Sequence, residues 1–260
     1  MQTIDLFTYG ILNGQFPRHL YKYRTYDQAR QIISNPALFF PSYENLNDPF
    51  ECFAEIECSA SKAEWYQYIL LQGIPQEDAV YWSEMISKDK SRQQEVISEA
   101  IEAIKKQIGI LSLSINPLET LLWSHYAQGH MGVCIEFDLL KDIETFNFPI
   151  EVIYDNDVIK FNYIRTQIRE SGVTNTTPLY HKTKDWEYEA EYRVLKLGQA
   201  NKLVKINPHA ISSVIFGAKT IPQQIRELSH LIKDKGFDWV QLKKIKIDRS
   251  SNSLSLEEIK

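Results

Sequence analysis

Three glutamates alternate with other residues in the segment Trp186-Glu187-Tyr188-Glu189-Ala190-Glu191-Tyr192-Arg193. Side chains two positions apart on a β-strand point to the same face, so this spacing predicts Glu187, Glu189 and Glu191 on one side of a strand. Three neighbouring carboxylates repel one another unless they serve a cation, a cationic transition state or an edge in contact with water. The pattern therefore indicates either an acidic catalytic face or a solvent-exposed strand edge.

A second group combines cations and an aromatic ring at the end of a predicted strand, in Lys22, Tyr23 and Arg24. A cation beside an aromatic ring can hold a phosphate or diphosphate while the ring stacks on a base or sugar. Asn47 and Asp48 lie in a loop of irregular composition and are candidates for contact with a ligand. The alternatives are a solvated edge of the strand and a turn that the two loop side chains close on backbone groups.

A third group joins a strand to the helix that follows it. Ser112 and Ser114 share one strand face, and the helix supplies the indole of Trp123, the imidazole of His125 and the phenol of Tyr126. Together these side chains could line a pocket. A serine–histidine nucleophile pair is an alternative that lacks support, because the chain has no Gly-x-Ser-x-Gly elbow.

Two histidines and a cysteine, His125, His130 and Cys134, invite a metal-site interpretation. However, the five-residue step between the histidines points them apart on a helix, and no pair of cysteines with ligand spacing accompanies them. We therefore predict no metal ligands.

The elements that must position these groups follow from the hydrophobic periodicity. Strands are predicted at 20–24, 37–41, 110–115, 132–137, 151–154, 188–197, 202–206, 211–216 and 239–247. Helices are predicted at 26–34, 117–127 and 222–235, and helical spacing at about 61–108 indicates an inserted segment of two or three helices. The result is an α+β fold with a mixed β core, expected to form a single domain over residues 1–260, with a polar, loosely held tail at about 248–260.

Bulk composition limits the function classes. The net charge is −5, so no global basic field attracts the chain to nucleic acid or anionic lipid. The three cysteines are an odd number without a Cys-x-x-Cys pair, which argues against a disulfide framework. No apolar run approaches the ~20 residues that span a bilayer. We expect a cytoplasmic protein with no membrane partner.

The motifs resemble those of the bacterial family of uncharacterised proteins known as DUF2971, over about residues 20–216. The resemblance rests on Leu20-Tyr21-Lys22-Tyr23-Arg24, Asn47-Asp48-Pro49-Phe50-Glu51, Ser112-Leu113-Ser114, Trp123-Ser124-His125-Tyr126-Ala127 with His130 and Gly132, and the acidic segment from Trp186 to Arg193. The family name itself implies no chemistry.

More distantly, the order of motifs is similar to that of the ADP-ribosyltransferase superfamily, and 20–48 resembles the opening of DNA-modifying toxins from toxin–antitoxin modules. This resemblance implies an ADP-ribosyltransferase-like β core. It implies that Lys22 or Arg24 holds NAD, that Ser112 or Ser114 supports the nicotinamide ribose, and that Glu191 drives transfer, with Glu189 second. The toxins have a His-x-Thr pattern where this chain has Lys22-Tyr23-Arg24.

The first functional hypothesis is therefore an ADP-ribosyltransferase that acts as a toxin or phage-defence effector and uses NAD as substrate. Nucleic acid is the favoured acceptor, protein is the alternative, and an antitoxin is a candidate partner. Because the chain is acidic, we expect Lys182, Lys184 and Arg193 to grip a short segment of nucleic acid locally. Two other hypotheses stay open: a non-catalytic ligand-sensing or interaction domain, and a nuclease or hydrolase that uses the carboxylates with Mg²⁺.

Overall fold

The computed structural model describes residues 3–170 and 176–259. Contacts divide the chain into two compact units. The first unit contains Met1–Pro41, Gly109–Val152 and Asp185–Lys260, and the second contains Ser42–Ile108 and Ile153–Lys184.

The helices and strands of the described ranges have the following bounds. The helices are α1 (Thr3–Leu12), α2 (Tyr26–Ser34), α3 (Lys62–Leu71), α4 (Gln76–Ser87), α5 (Lys90–Lys105), α6 (Thr120–Tyr126), α7 (Ile143–Phe146), α8 (Tyr163–Arg169) and α9 (Pro222–Asp234). The strands are β1 (His19–Arg24), β2 (Ala37–Phe40), β3 (Glu55–Glu57), β4 (Ile108–Ser114), β5 (Val133–Asp138), β6 (Ile150–Glu151), β7 (Ile153–Tyr154), β8 (Lys160–Asn162), β9 (His181–Lys182), β10 (Glu191–Leu197), β11 (Lys202–Lys205), β12 (Ile211–Phe216), β13 (Gln241–Asp248) and β14 (Ser253–Glu258).

The first unit is built on an eight-stranded sheet in the order β14-β13-β12-β5-β1-β4-β10-β6. β1 is antiparallel to both β5 and β4, whereas β12 and β13 are parallel, so the sheet is mixed. The predicted α+β class is confirmed at this level.

Both faces of the central sheet are buried, because alternate residues of its strands enter two different cores. On one face, Leu20 and Ile135 pack with residues of α2 and α9 such as Ile33 and Leu228. On the other face, residues including Tyr23, Cys134 and Ile215 pack with Leu122 and Trp123 of α6. All six residues of β5 are buried as a result. Burial of each large apolar side chain stabilises the fold by about 1.5–3 kcal/mol.

The second unit is mainly helical. The segment predicted as helical at about 61–108 contains α3, α4 and α5, and Trp65, Ile69 and Ile97 form an apolar core there with Tyr163 and Ile164 of α8. Ser61 caps α3 in a capping box with Glu64, and Asp89 caps α5. Two short parallel pairs, β3 with β8 and β7 with β9, complete the unit.

The prediction of a loosely held C-terminal tail was wrong, because Ser253–Glu258 within it form β14, which pairs with β13 along its whole length. Lys243 lies opposite Glu258, and Lys244 opposite Glu257. Opposite charges on directly facing positions stabilise a strand pair, and a polar composition by itself did not reveal this register.

No helix in the described ranges is both long enough and apolar enough to cross a membrane.

Candidate functional site

The acidic segment is not a continuous strand, so the prediction of three glutamates on one strand face was wrong. Residues Lys184–Glu189 form a 3-10 helix, and β10 begins only at Glu191. Between them Ala190 has a φ of 42°, in the left-handed region that interrupts an extended chain. As a result Glu187 is exposed, whereas Glu189 and Glu191 are buried.

Glu191 is held by Arg193 in a two-pronged ion pair. The distances are 2.8 Å from Nε to Oε1 and 3.0 Å from Nη2 to Oε2, and both residues are buried. Residues two apart on β10 share a face, and the planar guanidinium matches the two carboxylate oxygens. This partnership was not predicted, although the Glu-x-Arg spacing on a strand was a usable signal.

Two of the three cations expected to contact nucleic acid, Arg193 and Lys182, are buried. Arg193 is 0% exposed and Lys182 is 5% exposed. Lys182 forms an ion pair with Glu51 in the second unit, with Nζ 3.5 Å from Oε1. The prediction that these two cations grip nucleic acid was wrong, because both are buried and paired within the protein. The sequence alone does not identify a buried cation, because its acidic partner is recognisable only in the structure. Lys184 is exposed.

Glu189 is fixed from two sides. The hydroxyl of Tyr126, at the end of α6, donates to Glu189 Oε1 at 2.7 Å. The hydroxyl of Ser114, at the end of β4, donates to the Glu189 carbonyl at 2.7 Å. Ser114 is buried, so its hydroxyl positions the backbone that precedes β10.

Lys22 of β1 lies near both carboxylates. Its side chain is buried, and its Nζ donates to the carbonyl oxygen of Ser112 on β4. Burial, followed by the charge of Arg24, holds the pKa of Lys22 well below its ordinary value, whereas Glu191 and Glu189 act to raise it. Lys22 is therefore within electrostatic reach of both glutamates, and all three sequence motifs contribute residues to one cluster of the first unit.

Aromatic rings form one side of this cluster. The ring of His125 lies 6.3 Å from that of Tyr126 and 6.3 Å from that of Tyr188, and the Tyr188 ring lies 6.1 Å from that of Trp186. His125 is exposed and the other three are partly exposed, so ring faces and edges are accessible. Such rings suit the stacking of a flat ligand. This arrangement was not predicted, because the segment was interpreted as a strand and its first part is a 3-10 helix.

Two residues predicted to contact the ligand are core residues instead. Tyr23 is buried with its hydroxyl donating to the Asn116 carbonyl at 2.6 Å, and Trp123 is fully buried with Nε1 donating to the Pro117 carbonyl at 2.9 Å. Their rings meet edge to face at 5.1 Å. These contacts fix α6 on the sheet, so the prediction that both residues contact the ligand was wrong.

Arg24 is partly exposed at the end of β1, and its Nη1 donates to the carbonyl oxygen of Tyr23 at 3.1 Å. Burial of the guanidinium lowers the pKa of Arg24 to about 10. The residue also lines a cleft of about 900 Å³ with residues of α2, including Gln28. Of the two first-motif cations, Arg24 is therefore the more exposed, since Lys22 is buried.

Asn47 and Asp48 belong to the second unit. Asp48 is buried, and its Oδ1 accepts a hydrogen bond from the backbone N–H of Phe50 at 2.9 Å. This is the turn-closing role that the sequence analysis kept as its alternative for the loop. Asn47 is exposed.

Within the described ranges, no group of three or more His, Cys, Asp and Glu side chains is placed to hold a metal ion. The ring of His130 stacks against that of Trp123, with centroids 6.5 Å apart. Burial lowers the pKa of His130 below its ordinary value, with the charge of Lys219 as a further cause.

A family model described as "Protein of unknown function (DUF2971)" matches residues 122–194. The match supports the resemblance to this family over that segment, which contains His125, Tyr126, Glu189, Glu191 and Arg193. No curated protein and no solved structure matches the chain at the significance threshold.

Proposed function

We propose that the chain is an ADP-ribosyltransferase that moves ADP-ribose from NAD to a macromolecular acceptor. The observation that carries the proposal is the grouping of Glu189 and Glu191 with Lys22 beside the partly exposed rings of Tyr126 and Tyr188. Rings of this kind can stack on nicotinamide, and a fixed carboxylate can stabilise positive charge on a sugar.

The chemistry that NAD supplies is a ribose that becomes positively charged as its bond to nicotinamide breaks. In our proposal the negative charge of Glu191 stabilises that ribose, and Arg193 keeps the carboxylate in one orientation through its two contacts of 2.8 and 3.0 Å. Glu189, oriented by Tyr126, holds the incoming acceptor group. The lowered pKa of Lys22 weakens its compensation of these negative charges.

The described residues also bear on how NAD would be held. Because Lys22 and Tyr23 are buried, the diphosphate contact that the resemblance implies falls to Arg24. Ser112 is partly exposed and stays a candidate for the ribose, whereas Ser114 positions Glu189.

The proposal is tested by mass spectrometry of nucleic acid and protein from cells that express the chain. We expect a mass addition that matches ADP-ribose, which names both the reaction and the acceptor. Cells that express the Glu191→Gln variant are the control and should lack the addition. An unmodified nucleic acid and protein pool, together with unchanged NAD levels, would contradict the proposal.

A second candidate, a non-catalytic ligand-binding domain, is favoured by the buried pairing of Glu191 with Arg193. A carboxylate that is only 3% exposed and already paired can serve the fold alone. The two candidates differ in NAD consumption by the purified chain, measured with and without cellular DNA, RNA or protein. Saturable NAD binding without consumption under all of these conditions would favour the second candidate.

A further inference from the structure

A second polar cavity of about 370 Å³ lies in the first unit, apart from the residues assigned to transfer. Its lining includes His19, Lys141, His209, Ser212, Trp239 and Lys243. This volume falls in the range of small-molecule sites in proteins, about 300–1,000 Å³.

Two carboxylates, Asp138 and Glu136, also line the cavity, and both have cationic partners. Arg18 donates to Asp138 from Nη2 at 2.9 Å and from Nε at 3.2 Å. Lys243 Nζ lies 3.3 Å from a Glu136 oxygen. Because each carboxylate is compensated in this way, the remaining ionisable lining groups are basic: the ammonium of Lys141 and the imidazoles of His19 and His209.

Hydrogen bonds hold Glu136 further. Ser213 donates to its Oε2, and the hydroxyl of Tyr21 donates to Oε1 at 3.1 Å. Burial works to raise the pKa of Glu136, but the bond from Ser213 and the charge of Lys243 outweigh it, so that the pKa lies below the ordinary value. The carboxylate is thus a fixed part of the wall.

The side chain of Ser212 reaches the cavity because of an irregularity in β12. Ile211 pairs with Phe137, and Ser213 pairs with Glu136, the next residue along β5, so that Ser212 is an extra residue on its strand. Such bulges change the direction of a side chain and are common beside binding sites. Ser212 donates to the carbonyl oxygen of Glu136 at 3.2 Å and adds a hydroxyl to the wall.

An aromatic pair lies at the same cavity. The rings of His209 and Trp239 stack with centroids 3.9 Å apart and an interplanar angle of 24°, and Trp239 is 37% exposed. The indole is held in place because its Nε1 donates to the Ile211 carbonyl at 3.1 Å. A fixed, partly exposed ring next to basic groups suits a ligand that joins a flat base to an anion.

We propose that this cavity binds the phosphate group of a nucleotide, either free or at the end of a nucleic-acid strand. Lys141, His19 and His209 contact the phosphate oxygens, and the base lies against the exposed part of Trp239. The site is independent of NAD cleavage and of Glu191.

The test is a calorimetric titration of the purified full chain with adenosine monophosphate, adenosine and a short 5′-phosphorylated DNA single strand. We expect adenosine monophosphate or the strand to bind at least ~10-fold more tightly than adenosine, since loss of about 1.4 kcal/mol of phosphate contacts corresponds to tenfold. Tighter binding of the strand would identify a strand end as the source, and tighter binding of the free nucleotide would identify the mononucleotide.

The variant that isolates the site is Lys141→Ala with His209→Ala, because both side chains are exposed and their loss should leave the fold intact. The matched control is Lys235→Ala with His230→Ala. It removes the same two residue types from exposed positions, His230 within α9 and Lys235 directly after it. We expect affinity to fall at least ~10-fold in the first variant only. Failure of every phosphate ligand to bind, or equal affinity in both variants and the wild type, would overturn the proposal; the latter result would assign nucleotide binding to another site.

Discussion

Two buried glutamates of the first unit, Glu136 and Glu189, each accept a hydrogen bond from a tyrosine hydroxyl. Tyr21 donates to Glu136 at 3.1 Å, and Tyr126 donates to Glu189 at 2.7 Å. They differ in the nearby lysine. Lys243 beside Glu136 keeps part of its side chain in contact with solvent, whereas Lys22 near Glu189 is buried and has a strongly lowered pKa.

The same residue types, a glutamate, a tyrosine and a lysine, therefore produce different local charge in the two regions. Around Glu136 the charges are compensated, so the cavity there recognises its ligand through the surrounding basic groups. Near the proposed site Arg193 compensates Glu191, whereas the desolvated Lys22 adds less positive charge beside Glu189, so net negative charge is retained where our proposal needs it.

A continuous polar row connects the two regions. Along neighbouring strands, Ser213 pairs with Glu136, Glu136 with Tyr21, and Tyr21 with Ser114, whose hydroxyl contacts the backbone carbonyl of Glu189. Directly paired residues share a sheet face, so the row lies on one side of the sheet.

The largest expected effect on stability comes from Arg193→Met. This change leaves the carboxylate of Glu191 buried without its guanidinium, and removal of one partner of a buried ion pair costs about 3–5 kcal/mol. Urea denaturation should show a fall of this size in the free energy of unfolding. The double variant Arg193→Met with Glu191→Met should recover much of the loss, because no buried charge remains. Equal losses in the single and double variants would show that the pair contributes through packing alone.

A matched pair of tyrosine variants tests whether Glu136 and Glu189 differ in function. Tyr126→Phe and Tyr21→Phe each remove one hydroxyl donor to a buried glutamate, which should cost about 1.5–3 kcal/mol of stability in both. Only Tyr126→Phe should also lower kcat/KM for ADP-ribose transfer, by ~10-fold, since it releases a carboxylate of the proposed site. A similar loss of transfer in both variants would contradict the functional distinction between the two glutamates.

The pH dependence of stability provides a smaller effect. The ordinary pKa of Lys22 is 10.5, and folding lowers it. At a pH between the folded and the unfolded pKa, the unfolded chain binds the proton and the folded chain does not. Stability contributed at this position therefore rises with pH across that window and is lost as the pH falls through it. In Lys22→Met this rise should be absent. Subtracting the stability of the variant from that of the wild type at each pH cancels the contribution of tyrosines that titrate in the same pH range. Parallel stability curves for the two proteins would show that Lys22 keeps its ordinary pKa.

Several elements of the fold were predictable because their hydrophobic period is regular and local. The bounds of α2 and β12 coincide with the predicted ranges, and α9 differs by one residue at its end. The start of β10 was not predictable in the same way, since alternation in the acidic segment continues through residues that form a 3-10 helix. The left-handed conformation of Ala190, which separates Glu189 from Glu191, has no signal in an alanine side chain.

The candidate site was predictable in its residue types and less so in its partners. Glu189, Glu191 and Lys22 were identified from motif and spacing, and they lie in one cluster. Burial decided the remainder: Trp123 looked like a stacking residue and is a core residue, whereas Arg193 looked like a surface cation and pairs with Glu191. These distinctions depend on contacts between distant segments, which a single sequence does not contain.

The most direct test of the central claim is kcat/KM for ADP-ribose transfer in three glutamine variants of the acidic segment. Glu191→Gln should lose at least ~100-fold, Glu189→Gln less, and Glu187→Gln, which changes an exposed residue, should match the wild type. Thermal denaturation would establish that each variant is folded. If Glu191→Gln does not fold, the comparison of Glu189→Gln with Glu187→Gln still tests the claim. Full transfer activity in folded Glu191→Gln, or equal activity in all three variants, would contradict the account.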